Sequence, residues 1–513
     1  MTKAPKKFKS LFTAVALITV FSVITRAAGF IFRIYLSRTI GAEGMGIYQV
    51  AISIFGTLNA LVVSGMPVVL SRLVAKYNVS SKKAEAHSAV TAGLIVSLAT
   101  SLLLCAVIII FKNLLSKIFT DERCIAILIT LLPALVSSSV YATLRGYLWG
   151  EKNYLSVCAT ELIEQILRVV LCVLLIGSAY TALDGALTAG TTYSIACIIS
   201  AVLVIITYFY YGGKFRNPKP QYKQIIKSST PVTALRVASS LIQPIIAIII
   251  PLRLVQIGFS TEQAISQYGI ATGMTLPLLF LPSTLIGSLA MALVPEISAI
   301  NEEKNSPLLK KRIRSGIVFS IFCAALLIPS FLGVGKEIGL FLYNNNLSGV
   351  YLQAAAWMMI PMAISQITST ILNSLGLEIK SFKNYVIGTV VSLLCIWFLP
   401  SVIGINALII GLGSSVVISA ILNLRMIAKH TNLNININKH LILISLFVLP
   451  SALLGYFLIG VTNVIFPLVL AIVISCGLAT LMFITLCVIF NLVDISALSV
   501  KFVRTFKKSK QPI

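Results

Sequence analysis

The sequence is poor in charge, and above all in acid. Only 15 of its 513 residues are Asp or Glu, and charged residues make up 11% of the chain, against about 25% in a typical soluble domain. Apolar residues make up 58%, and the mean hydropathy is +0.99. A soluble fold of this length has too little interior to hold so much apolar surface. The composition therefore excludes a soluble protein and predicts an all-α polytopic membrane protein.

The patterns of enzymes and metal sites are missing as well. The sequence contains no Walker loop, no HExxH and no CxxC, and its three His residues form no cluster. Most of the nine Cys residues lie inside apolar runs, where they are typical of small core side chains. We therefore expect no enzyme, no bound metal and no cofactor. If the protein transports a substrate, the energy would come from a Na⁺ or H⁺ gradient or from the membrane potential.

Long apolar runs divide the chain into about fourteen segments. A helix needs about 20 apolar residues to cross a bilayer, and each run reaches that length. The first run follows four Lys residues, as in a signal peptide, but it continues far enough to be an uncleaved span. The predicted spans are 11–37, 46–70, 86–111, 124–145, 155–178, 184–211, 228–252, 268–296, 315–335, 351–375, 383–402, 405–424, 441–460 and 464–492.

The placement of positive charge predicts the orientation. Most of the 40 Lys and Arg residues fall in alternate connections between the predicted spans, in the N-terminal segment and in the C-terminal tail. Because Lys and Arg collect on the cytoplasmic side of a membrane, we predict a cytoplasmic (plasma) membrane protein with both termini in the cytoplasm. The net charge of +25 has the same cause, and nucleic acid is not an expected partner.

A faint internal repeat predicts how the spans are grouped. The fourth span ends in LRGYLWGEKNY and the tenth in LNSLGLEIKSF, while the second begins GIYQVA and the eighth contains SQYGIA at a similar offset. The basic, proline-containing loop 211–229 separates the two sets. We predict an N-lobe of six spans (1–212), a C-lobe of six spans (213–430), and two further spans with a cytoplasmic tail (431–513).

Four arginines lie within the predicted spans rather than at their ends: Arg26, Arg33, Arg168 and Arg236. A charge there is costly unless it faces water, a partner or a ligand. Arg26 and Arg33 are seven residues apart and so share one face of the first helix. Arg236 lies in the seventh span, and Gln243 follows it. These side chains predict a cationic cavity for an anionic substrate, since a guanidinium matches phosphate oxygens. For Arg33, extension of the side chain to the interface is the alternative.

The fifth span carries a charged stripe of Glu161, Glu164 and Arg168. Glu164 and Arg168 are spaced i,i+4 and could neutralise each other on one helix. The alternative is that Glu161 or Glu164 faces a cavity and binds the coupling proton or sodium ion. The sequence leaves both readings open.

Three long motifs resemble one known family. ITRAAGFIFRIYLSRTIGAEGMGIYQ (Ile24–Gln49), LRGYLWGEKNYLSVCATELIEQILRVV (Leu144–Val170) and YGIATGMTLPLLFLPSTLIGSLAMALVPEIS (Tyr268–Ser298) are similar to the SpoVB-type branch of the multidrug/oligosaccharidyl-lipid/polysaccharide (MOP) exporter superfamily. The resemblance covers essentially the whole chain. It implies fourteen helices in two six-helix lobes, and a flippase for lipid-linked sugar precursors related to the MurJ group of lipid II flippases.

The arginines of the MurJ group are only partly present. Arg26 matches the arginine of that group's first helix, but Phe32-Arg33 stands where the group has an Arg-Asp pair. The second-span arginine of the group falls near Asn59, and its eighth-span arginine near Leu276 or Pro277. The resemblance thus carries Arg26 and the Asn59 position over as substrate-binding candidates, together with Arg33, Arg236 and Gln243 from the reasoning above.

The resulting hypothesis is an alternating-access flippase for an undecaprenyl-pyrophosphate-linked glycan. Lipid II or a related polysaccharide unit is the expected substrate, for the cell wall or the spore cortex. The expected partners are this polyprenyl diphosphate, membrane lipids and cell-wall synthesis proteins. A cation-coupled multidrug antiporter of the same superfamily is the alternative function, and a scaffold for wall synthesis without transport activity is a third.

Overall fold

The computed structural model describes residues 11–177, 181–303, 306–432, 438–490 and 492. Helices account for the secondary structure throughout these residues, so the all-α prediction is confirmed. Up to the middle of the chain the α-helices are α1 Leu11–Val63, α2 Met66–Val79, α3 Lys83–Ile110, α4 Lys112–Ser116, α5 Arg123–Gly150, α6 Tyr154–Ile176, α7 Ala182–Tyr210, α8 Tyr222–Ser240, α9 Ile242–Gln256 and α10 Thr261–Tyr268.

The second half begins with a π-helix, Gly269–Thr275, which continues α10. The α-helices that follow it are α11 Leu276–Leu279, α12 Leu281–Glu302, α13 Ser306–Ala325, α14 Ile328–Tyr343, α15 Asn346–Ala355, α16 Met359–Ser374, α17 Glu378–Phe398, α18 Pro400–Ile403, α19 Asn406–Thr431, α20 Asn438–Ile465 and α21 Leu468–Ile489. Short 3₁₀ turns precede α8 and α16.

Eleven helices of the described residues are long and apolar enough to cross a membrane, or twelve if one bent pair counts as a span. The predicted number of fourteen is not confirmed. One difference lies at Ile18–Val79, a single helical stretch of 62 residues that covers two predicted spans. Another lies at α6, the predicted span 155–178, where Glu161, Glu164 and Arg168 lower the apolar content.

The long α1 contains a kink at Gly41, whose φ of 70° and ψ of −171° are non-helical. Glycine adopts a positive φ without the Cβ clash that other residues meet. The kink therefore separates the two predicted first spans within one continuous stretch of helix. The predicted eighth span is also interrupted, because it runs from α10 through the π-helix into α12 with a bend of 40°.

Contacts divide the chain into two units. The N-terminal unit runs to Met274 and also takes in Ile396–Ile405, and the C-terminal unit comprises Thr275–Cys395 and the residues from Asn406 onward. In the N-terminal unit, α5 packs against α1, α2, α3 and α7. In the C-terminal unit, α14 packs against α15, α20 and α21, and α16 against α12, α13 and α19. The predicted division at 212 and 430, which follows the proposed duplication, stays a prediction.

The loop that follows α7, predicted as a linker between lobes, is attached to the N-terminal unit. Ser88 Oγ donates a hydrogen bond to the Asn217 carbonyl, and the Tyr208 hydroxyl donates to the Lys214 carbonyl at 2.8 Å. Tyr77 donates to the Gln221 side chain at 3.1 Å. The segment before α8 is therefore held by side chains of α2, α3 and α7. Both termini, for which we predict a cytoplasmic location, lie outside the described residues.

Candidate functional site

The first half of α1 packs against α6 in parallel. A Cβ atom added to Gly29 would lie 3.5 Å from Gln165 Nε2, and the Tyr35 hydroxyl donates to the Val173 carbonyl at 3.4 Å. The two contacts advance along both helices in the same direction, which defines a parallel pair. Gly29 is therefore level with Gln165 of α6.

This register places the two predicted arginines of α1 on the face that contacts α6. Arg26 lies one turn before Gly29 and Arg33 one turn after it, so all three positions share one side of the helix. Arg26 is exposed and Arg33 is half-buried. The same face of α6 carries Glu161 one turn before Gln165 and Arg168 one turn after it. The structure thus brings two sequence-predicted groups, from the first and fifth predicted spans, onto one helix interface.

The Glu164–Arg168 pair forms as its spacing predicts. Arg168 Nη2 donates to Glu164 Oε1 at 2.8 Å, and the two side chains are only 15% and 20% exposed. The guanidinium also lies 3.9 Å from the centre of the Tyr193 ring, which gives it a cation–π contact. Cys197 Sγ lies 3.8 Å from the same carboxylate oxygen. The charge of Glu164 is therefore balanced inside the N-terminal unit by its own helix.

Glu161 has a partner that sequence reasoning missed. Arg145, on α5, donates from Nη1 to Glu161 Oε1 at 2.8 Å, and its guanidinium lies 4.7 Å from the Trp149 ring. Glu161 is 38% exposed, more than Glu164. Arg145 lies at the end of the predicted span 124–145 and within α5. The RGY motif could have drawn attention to it, but the pairing joins two helices and leaves no local pattern.

The other predicted binding residues cluster on the second half of α1 with α8 and α9. Thr57 Oγ1 donates to the Ser240 carbonyl at 2.9 Å, and the Gly65 turn packs against Ser229 of α8. These contacts run in opposite directions along the two helices, so the pair is antiparallel. Asn59 is consequently level with the Arg236–Val237 turn.

Within this second group, the side chains differ in exposure. Arg236 and Gln243 are exposed, whereas Asn59 is half-buried. The Asn59 Oδ1 atom is buried and accepts no hydrogen bond from any described residue. A buried amide oxygen without a donor is uncommon, which makes Asn59 an acceptor available to a ligand hydroxyl. Among the residues that the structure describes, no three His, Cys, Asp or Glu side chains are grouped to hold a metal ion.

The IGAEGMG segment, at the Gly41 kink of α1, packs against other helices of the N-terminal unit. Arg123 Nη2 lies 2.7 Å from both Glu43 Oε1 and Asp121 Oδ2. A Cβ added at Gly46 would overlap the Ile265 carbonyl of α10. This motif, which carried much of the family resemblance, therefore joins α1 to α5 and α10 rather than adding side chains to the site.

The fold of this chain resembles that of known transporters, and its sequence matches a known family. The fold is that of MOP-superfamily transporters. The solved structure of the lipid II flippase MurJ in an inward closed conformation matches 93% of this chain and 98% of its own, with a TM-score of 0.70 at 14% identity. An inward-facing multidrug resistance MATE family transporter matches 82% of this chain and 98% of its own, with a TM-score of 0.65 at 15% identity.

The chain belongs to the polysaccharide biosynthesis protein family, which matches residues 11–301. Stage V sporulation protein B of Bacillus subtilis (strain 168) is 24% identical over 467 residues, covering 86% of this chain and 89% of that protein. The lipid II flippase MurJ of the same organism is 20% identical over 350 residues, covering 63% of each chain. The predicted SpoVB-type membership of the MOP superfamily is thereby confirmed, as is the multi-pass membrane class.

Proposed function

We propose that this protein is a flippase that moves a polyprenyl-diphosphate-linked glycan precursor across the bacterial cytoplasmic membrane by alternating access. The observation that carries the proposal is the pair of arginines, Arg26 and Arg33, on one face of a membrane-spanning helix. During transport the anionic diphosphate of such a lipid must pass through the thickness of the membrane. Guanidinium groups bind this anion through paired charge-assisted hydrogen bonds. Membership of the polysaccharide biosynthesis family supports the substrate class.

We assign different parts of the substrate to the two groups of residues. Arg26 and Arg33 hold the diphosphate. Asn59, whose buried Oδ1 lacks a donor among the described residues, accepts a hydrogen bond from a sugar hydroxyl, and Arg236 and Gln243 add exposed donors beside it. An acceptor is unsuited to phosphate oxygens but suited to a hydroxyl, which is why Asn59 belongs with the sugar.

The glycan is lipid II or a related polysaccharide unit, used for the cell wall or the spore cortex. The similarity to stage V sporulation protein B over 86% of the chain supports a role in a spore-forming bacterium. Membrane lipids and cell-wall synthesis proteins are the partners that this role implies. This chain departs from the MurJ pattern at Phe32, Asn59 and Leu276, which is compatible with a glycan other than that of lipid II.

Coupling to a Na⁺ or H⁺ gradient, or to the membrane potential, would drive the cycle. Of the three coupling candidates, Glu164 and Arg168 form a buried pair at 2.8 Å. We infer that this pair is structural, because breaking it in either direction would leave a buried charge. Glu161 is more exposed and pairs with Arg145 across two helices, so it is the better candidate to exchange a proton or ion.

The alternative function is a cation-coupled multidrug antiporter, which the fold of the MATE transporter would also accommodate. Two observations favour the flippase. The MurJ structure extends over 93% of this chain and the MATE structure over 82%. The arginines of α1 suit an anion, whereas a drug cation would be repelled by them.

Reconstitution tests the proposal. Purified protein in proteoliposomes should move a fluorescent lipid II analogue between leaflets, and expression should rescue a strain depleted of its lipid II flippase. Empty liposomes and an Arg26→Ala protein are the controls. Proton-driven export of a cationic dye without lipid movement would replace the flippase with the antiporter.

The proposed orientation has its own test. Single cysteines introduced in the loop 211–227 and at Lys507 should react with an impermeant maleimide only after the cytoplasmic side is opened. Cysteines at Asn346 and Thr462 should react from outside in intact cells. Reaction of residue 507 in intact cells would overturn the proposed cytoplasmic termini.

A further inference from the structure

Gln165 occupies an unusual place among the charged residues of α6. It is 9% exposed and stands between Glu161 and Arg168 on the helix face that meets α1. Its amide lies against Gly29, where a Cβ atom would be 3.5 Å from Nε2, 3.8 Å from Cδ and 3.9 Å from Oε1. The three similar distances mean that the amide group lies beside the glycine rather than pointing past it.

The parallel register fixes the height of this amide relative to the arginines of α1. Because Gly29 is level with Gln165, Arg26 lies one turn below the amide and Arg33 one turn above it. Seven residues of helix separate the two arginines by about 10 Å along the axis. The level of Gln165 therefore lies between the levels of the two arginines on α1.

We propose that Gln165 is a third diphosphate-binding residue, whose side-chain NH₂ donates a hydrogen bond to phosphate oxygens held between Arg26 and Arg33. This inference rests on the proposed flippase function and deepens it. Each arginine would hold one phosphate, and the amide would meet the oxygens where the two phosphates join.

A neutral donor suits this position better than a charged one. A carboxylate there would compete with the substrate for the arginines. The two carboxylates that α6 does carry accept hydrogen bonds from other arginines, Glu164 from Arg168 and Glu161 from Arg145, each at 2.8 Å. Glu161 and Glu164 are thus held by ion pairs, and Gln165 beside them brings a donor without adding charge.

The experiment measures binding of two probes to purified protein in detergent. The probes are farnesyl diphosphate and farnesyl monophosphate, and their affinity ratio reports how the second phosphate is recognised. The variants are Gln165→Leu, which removes the donor at similar size, and Gln165→Glu, which adds a carboxylate. The matched control is Gln353→Leu in the C-terminal unit, where the glutamine donates to the Leu332 carbonyl at 2.9 Å.

Gln165→Leu should bind the diphosphate about tenfold more weakly, since a hydrogen bond to a charged group is lost. Its affinity for the monophosphate should change less, so the ratio of the two affinities falls. Gln165→Glu should be weaker still, and Gln353→Leu should match the wild type. A role in packing α1 against α6 alone would not move this ratio.

Two failures can be told apart. If the wild type binds the diphosphate and Arg26→Ala does not, but Gln165→Leu keeps both the affinity and the ratio, the assignment of Gln165 is wrong and the flippase proposal stands. If the wild type binds neither probe, the proposed function falls and this inference falls with it. Should Gln165→Leu be polydisperse, Gln165→Asn replaces it, because the shortened amide keeps its polarity but not its reach.

Discussion

The two units of this protein hold their buried polar side chains in different ways. In the N-terminal unit the Arg168–Glu164 ion pair is only 15% and 20% exposed, whereas the Arg312–Glu296 pair of the C-terminal unit is 35% and 38% exposed. In the C-terminal unit the helices α16, α17 and α19 are joined by amides and hydroxyls. Asn384 donates to Asn423 at 2.9 Å, and Asn423 donates to Ser369 at 3.0 Å.

The difference shows which unit buries charged side chains, whose desolvation costs free energy. A neutral network joins helices in an apolar surrounding and needs no counter-ion. An ion pair between helices desolvates two charges and gains little net stability over apolar packing. We therefore propose a coupling role for Glu161, which pairs with Arg145 between two helices, and a structural role for the Glu164–Arg168 pair within α6.

The largest expected effect is at Arg26. Replacing it by Ala should abolish flipping and binding of a labelled polyprenyl-diphosphate sugar, because the guanidinium in the membrane-spanning helix supplies charge and a bidentate donor. Arg26→Lys should retain part of the binding, since it keeps the charge without the fork. Arg72→Ala, at an exposed arginine of α2, is the control. Unchanged affinity in a monodisperse Arg26→Ala protein would remove the centre of the proposed mechanism.

The second effect is on stability at the Glu164–Arg168 pair. Glu164→Gln should destabilise the protein by about 3–5 kcal/mol, because it leaves a buried guanidinium without its carboxylate. The exchanged double variant, Glu164→Arg with Arg168→Glu, should recover most of that loss. Thermal unfolding in detergent and the yield from membranes measure both. A Glu164→Gln protein that is fully stable but inactive would instead favour the coupling role.

The third prediction compares how tightly the two units pack against two of their glycines. A Cβ added at Gly46 would overlap the Ile265 carbonyl, and one at Gly349 would overlap the Gly335 carbonyl. Because backbone atoms cannot move aside cheaply, each Gly→Ala change should cost about 1–3 kcal/mol. Gly56→Ala and Gly460→Ala are matched controls, since nothing lies within 4 Å of the added atom. A loss in only one unit would show that the other relaxes.

The smallest effect is expected in the neutral network. Asn423→Leu should cost about 1 kcal/mol, the usual range for a hydrogen bond between membrane helices. Asn384→Leu combined with Asn423→Leu should cost no more than the single change, since both partners are removed together. Transport should persist in both proteins. Complete loss of transport in a stable Asn423→Leu protein would contradict the contrast between the units and give this network a functional role.

The sequence was a good guide to features that depend on a short stretch of chain. Most described residues of the predicted spans are helical, since about 20 apolar residues suffice to define a span. The Glu164–Arg168 pair followed from its i,i+4 spacing. The predicted number of spans is not confirmed, because Gly41 bends the chain without interrupting the helical run, and α6 has too many charges to count as an apolar span.

Contacts between helices were not predictable in the same way. Arg145 and Glu161 are 16 residues apart on separate helices, and Asn384 and Asn423 are 39 apart. Nothing in the residues between them encodes these pairings, which depend on how two helices are rotated and aligned. The same holds for Gln165, whose position in the sequence suggested only a neighbour of charged residues.

By itself the sequence determined the membrane class, the helices, the family and which spans carry charge, because the transfer of a segment from water to lipid depends on its own composition. The tertiary structure decided which of those charges neutralise one another and which share an interface. The parallel register of α1 and α6 set Gln165 level with Gly29, between the levels of Arg26 and Arg33. Register is a property of two surfaces together, so neither helix carries it alone.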